Sequence, residues 1–64
     1  MNTDERRAFT KFESEYMIRL DPEKWDMVKR EFCEQRKDRY KKPSEEEITL
    51  YLEHRGISFE YADA

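Results

Sequence analysis

The chain has 64 residues, of which 45% are charged against roughly 25% in ordinary domains, with 13 Lys and Arg, 16 Asp and Glu, and a net charge of −3. Its length allows a single domain that buries only about 60% of its unfolded surface. One cysteine excludes an intrachain disulfide, and one histidine excludes the common Cys/His zinc sites.

The charge is unevenly placed. Residues 1–20 balance to 0, residues 21–44 to +2, and residues 45–64 to −5. A uniformly basic nucleic-acid footprint is therefore missing. Nine aromatic residues at regular spacing argue for a folded chain rather than a disordered one. Without a signal-peptide region or an apolar run long enough to span a membrane, the expected location is the cytoplasm.

Residues 1–14 read as a polar arm or as part of a first helix. Phe9, Phe12, Tyr16 and Leu20 recur at helical spacing, which supports a helix over about 4–20. The alternation in Glu15-Tyr16-Met17-Ile18-Arg19-Leu20 supports instead a short strand over 15–20, with Tyr16, Ile18 and Leu20 on its buried face. Such a strand needs a partner, and a second copy of itself is an economical one.

Asp21-Pro22 offers an N-cap and a proline at the first helical position. From there to about residue 41, Trp25, Val28, Phe32 and Tyr40 form one stripe, with Cys33 at its edge and the Arg36 stem alongside. Pro43 ends this helix. Ser44 opens the next, over about 45–55, with a capping box in which the Ser44 hydroxyl serves the Glu47 amide and the Glu47 carboxylate returns to the Ser44 amide. Ile48, Tyr51 and Leu52 form its apolar stripe, and Gly56 is a ready C-terminal cap with Ile57 packing back. Met27 and Leu50 fall on the opposite faces, which favours a dimer that covers them. Residues 15–57 thus form one small helical domain, and residues 58–64 a tail in which Phe59 and Tyr61 alternate with polar residues.

The strand Tyr16–Leu20, the proline-led helix at Pro22, the apolar positions Trp25, Val28, Phe32 and Cys33, and the serine-started helix with Glu47-Ile48 and Leu52-Glu53 together resemble the ribbon-helix-helix repressors and antitoxins, in particular the small Arc-type proteins. The resemblance implies a mainly α, dimeric fold and a homodimeric regulator or antitoxin on double-stranded DNA. It assigns base contacts to Glu15, Met17 and Arg19 and a phosphate contact to Ser44. Two departures stand out: Lys37 to Lys42 extend the first family helix by about two turns, and Glu45 and Glu46 sit where a phosphate docks.

The basic cluster Arg36, Lys37, Arg39, Lys41 and Lys42 reads either as cations answering a helix dipole or as a backbone contact, above all Lys41 and Lys42. Catalysis is not expected, since His54 is the lone imidazole, Cys33 is a small buried hydrophobe, and no phosphate loop, cofactor motif or metal cluster is present. The competing function is a three-helix interaction module that binds a basic protein through Glu45, Glu46 and Glu53.

Overall fold

A computed structural model describes residues 1–62; Asp63 and Ala64, the end of the expected tail, lie outside the described residues. The chain is mainly helical, in the order α1 (Thr3–Glu15), β1 (Tyr16–Ile18), α2 (Pro22–Gln35), α3 (Glu45–His54) and β2 (Phe59–Tyr61).

Both readings of the first third are partly realised. The expected arm is helical: Asn2 caps α1, its side chain accepting from the Glu5 amide at 2.8 Å while the Glu5 carboxylate accepts from the Asn2 amide at 3.0 Å. The helix does not run to Leu20. At Tyr16 the backbone turns extended, with φ −126° and ψ 146°, and the chain enters β1 without an intervening loop. The stripe Ala8, Phe9, Phe12 and Tyr16 stays on the buried side through that change.

The partner of β1 is β2 of the same chain, antiparallel, with Tyr16 opposite Tyr61, Met17 opposite Glu60 and Ile18 opposite Phe59. The Arg19 amide donates to the Ser58 carbonyl and the Ala62 amide to the Glu15 carbonyl, both at 3.0 Å. The strand's need for hydrogen bonds is thus met on that side within one chain, where a second copy was expected.

Pro22 opens α2 as expected, but Asp21 holds the N-cap position without a side-chain cap bond. The expected extension of α2 to residue 41 does not form. Arg36 is extended, with φ −72° and ψ 131°, and Tyr40 is 99% exposed rather than part of the stripe. After Gln35 the chain leaves the helix, and on this path the Arg36 and Arg39 side chains both bind the buried Glu5 carboxylate, charge-assisted bonds that offset the helical ones forgone. The two extra helical turns read at 37–42 are instead an irregular connection.

Ser44 caps α3, its hydroxyl accepting from the Glu47 amide at 3.1 Å. The return half of that capping box does not form, because the Glu47 carboxylate accepts from Arg36 Nε at 3.2 Å. At the far end Gly56 takes φ +70°, and the Ile57 amide donates to the Leu52 carbonyl at 2.9 Å and the Gly56 amide to Glu53 at 3.1 Å. This paired closure needs a residue free to adopt a positive φ.

The core joins all these elements. Trp25, Phe9, Phe32 and Tyr51 form an edge-to-face series across α2, α1 and α3, with centroid separations of 5.8, 5.3 and 5.2 Å. Phe12, Tyr16 and Tyr61 stack at 4.4 and 4.6 Å, fastening the ribbon to α1. Val28, Cys33, Ile48 and Leu52 fill the remaining space, with Ile18, Leu20, Tyr51, Ile57 and Phe59 packed at the margin.

Candidate interaction surfaces

On the ribbon's outward face, Met17 is 49% exposed. Arg19, just beyond β1, is ion-paired with Glu60, which stands opposite Met17. A carboxylate therefore occupies the middle of the face on which Met17 and Arg19 project. Glu15, the third residue expected there, is the half-buried last residue of α1.

Ser44 sits beside Lys42 and Pro43 at the start of α3, where a groove of about 250 Å³ opens between α1 and α3. Lys11 and Lys42 line it together with Glu15 and Glu45, so its charge is mixed. The Ser44 hydroxyl already serves the helix cap, and three glutamates follow it in the first turn. Lys41 and Lys42 lie exposed in the connection. At the other end of the same region, the Tyr16 phenol is held above its ordinary pKa by the Tyr61 hydroxyl, by burial and by the Glu45 carboxylate.

α3 presents a different surface. Glu46, Leu50 and Glu53 lie three and four residues apart on its outer side, and Leu50 is 57% exposed. Among the described residues Glu45, Glu46 and Glu53 make no ion pair, whereas Glu47 is held by Arg36. His54 falls in the last turn, where the dipole favours a cation.

The main electrostatic feature is one that sequence reasoning missed. Glu5 is 0% exposed, yet fully charged and fully partnered. Its Oε1 accepts from the Asn2 amide and from Arg39 Nη2 at 2.8 Å, and its Oε2 from Arg39 Nε at 3.2 Å and Arg36 Nη1 at 3.3 Å. The Arg39 fork foremost, helped by the Asn2 amide and Arg36, holds the carboxyl down at about 2 against the opposing effect of burial. Arg36 also reaches Glu47 and the Lys41 carbonyl, and the Asn2 amide group donates to the Arg39 carbonyl at 2.8 Å. The cations of the 36–42 cluster thus split: Arg36 and Arg39 are internal fasteners, while Lys37, Lys41 and Lys42 face solvent. The pair Asn2 and Glu5, spaced as a capping box, is a signal for the start of α1, but its spacing says nothing of the pairing with Arg36 and Arg39.

Cys33 is buried beside this network, and burial foremost, with Glu5 nearby, pushes its thiol up to about 11. Such a thiol carries little thiolate and is a poor nucleophile at neutral pH. Among the described residues no group of three or more His, Cys, Asp or Glu side chains is placed to hold a metal ion, and no helix is long and apolar enough to cross a membrane. Compared with known protein families, with curated proteins and with solved structures, the chain finds no match in any of the three.

Proposed function

We propose that this protein is a small helical interaction module that receives a basic protein partner on the outer face of α3. The supporting observation is Leu50, exposed between Glu46 and Glu53 with no cation answering either carboxylate among the described residues. An apolar knob ringed by carboxylates suits a surface that carries lysine or arginine around a shallow apolar depression, with the charges setting encounter rate and orientation. A synthetic amphipathic peptide of lysine and leucine is a direct probe. It should shift the amide resonances of residues 45–54, and its affinity should fall both with Glu46→Gln/Glu53→Gln and with Leu50→Ser. Binding unaffected by Leu50→Ser would reduce the contact to general charge attraction and defeat the proposal.

A second reading is a homodimeric DNA-binding regulator or antitoxin. The observation favouring it is that Arg6, Arg7, Lys11, Lys37, Lys41 and Lys42 make no ion pair among the described residues and so remain available to phosphates. In this reading Met17 and Arg19, with Glu15, contact bases, and Ser44, Lys41 and Lys42 contact the backbone. The dimer has to form through the edge of β1 that faces away from β2. Retention of random duplexes at low salt, lost evenly on Lys41→Ala or Lys42→Ala and losing sequence preference on Arg19→Ala, is the result this reading requires.

A further inference from the structure

The register of the ribbon leaves one edge of β1 open. Arg19 and Glu15 bond to Ser58 and Ala62 across the ribbon, and alternation then turns the main-chain groups of Met17 toward β2 and those of Tyr16 and Ile18 away from it. The Tyr16 amide is used by the Phe12 carbonyl at the end of α1. The Tyr16 carbonyl and both main-chain groups of Ile18 have no partner among the described residues.

Beside this edge runs an open groove of about 350 Å³. Ile18, Leu20 and Trp25 are among its walls, and no residue of β2 lines it, which places it on the far side of β1. Its rim carries Glu13 and Asp26 with Lys29 between them, Lys29 Nζ lying 2.8 Å from Glu13 and 3.4 Å from Asp26. One cation shared by two carboxylates leaves the rim net negative.

We propose that this edge and groove form a second docking surface, distinct from the face of α3, which adds an extended segment of a partner protein as a third strand. The unpartnered groups of Tyr16 and Ile18 hold its backbone, the groove takes apolar side chains from one face of the segment, and the Glu13–Asp26 rim selects a basic residue in it. The demand for an extended backbone comes from the open ladder, and the demand for positive charge from the rim.

The probe is a blocked hexapeptide that carries valine, lysine and valine on one face of the extended chain and threonine on the other, so that the lysine falls on the groove side with the valines. Its addition should shift the Ile18 amide and the Trp25 indole resonances while leaving residues 45–54 in place. An added strand uses only every second amide of the peptide, so N-methylation in one alternating phase should abolish the shifts and in the other phase spare them. Equal effects of the two phases would overturn the proposal. Ile18→Pro removes an amide that the β1–β2 ladder does not use, so the Arg19 and Ala62 amides should stay protected from exchange while peptide affinity falls by about fivefold or more. Asp26→Lys should weaken the lysine peptide, and an unchanged affinity in that variant would remove the charge selection. Should the proline variant fail to fold, the two methylated peptides still decide the matter. A concentration-dependent dimer that competes with the peptide and is lost in Ile18→Pro would assign the edge to a second copy and overturn the partner proposed here.

Discussion

Arg39 grips Glu5 side-on, with Nε and Nη2 on the two carboxylate oxygens at 3.2 and 2.8 Å, and so ties the middle of an irregular connection to the first turn of the first helix. A bidentate fork of this kind fixes position as well as charge. The connection between α2 and α3 has little apolar content apart from the buried Pro43, so this pair, with Arg36, is what gives it a defined path.

Glu5→Gln should therefore destabilise the fold strongly. A carboxyl held at about 2 against an ordinary 4.5 contributes on the order of 3 kcal/mol at neutral pH, a large part of the margin of so small a domain. Because the folded value lies below the unfolded one, the contribution is complete above the ordinary carboxyl range and is lost as pH falls from 4.5 toward 2. Thermal melts of the wild type should drop through that window. Those of Glu5→Gln should drop less, and parallel pH curves for the two proteins would contradict the assignment.

Trp25→Ala should be the most costly core truncation, at about 3–5 kcal/mol, since the ring meets Phe9 edge-on at 5.8 Å and its indole Nε1 donates to Glu13 at 2.7 Å. Trp25→Phe keeps most of the packing and loses the hydrogen bond, and should cost about 1 kcal/mol beyond its area change. Urea titration of both variants separates the two contributions.

The two N-caps should respond unequally. Ser44→Ala removes the hydroxyl that accepts from the Glu47 amide and should cost about 1 kcal/mol. Asp21→Ala should have a far smaller effect, because the Asp21 side chain makes no cap bond. Equal losses in chemical denaturation would mean that Asp21 caps α2 in solution.

Cys33 should resist modification. With the thiol buried and pushed up to about 11, an aromatic disulfide reagent at neutral pH should react only as fast as the protein opens, and at the full rate in denaturant. Rapid reaction of the native protein would show that the region around Cys33 opens far more readily than its packing implies.

Much of the fold was legible in the residues, and the failures have a common origin. Pro22, Ser44 and Gly56 mark helix boundaries by local chemistry that acts within a few residues, and each stands where its chemistry places it. Trp25, Val28, Phe32, Ile48 and Leu52 show helical spacing and are buried. The first third resisted because helix and strand share one apolar face there: Phe9, Phe12 and Tyr16 fit a helix, Tyr16 and Ile18 fit a strand, and the boundary falls at Tyr16, which both patterns claim. The end of α2 and the partner of β1 were illegible for another reason. Both depend on residues distant in sequence, Glu5 for the first and Phe59 to Tyr61 for the second. A glutamate in a polar N-terminal segment carries no local mark of complete burial. The acidic face of α3 was legible as charge, whereas the open edge of β1 emerges only once the register is known.

The ribbon joins Tyr16–Ile18 to Phe59–Tyr61, segments far apart in sequence, and brings together only three residues on each side, so its closure entropy is met late and for few bonds. The helices meet through closer contacts in sequence, such as Phe9 with Trp25 and Glu13 with Lys29. Refolding is accordingly expected to assemble the helical core first and to zip β2 onto β1 last. On the way back β2 is the first segment to leave, making it the weakest point of the fold against a protease.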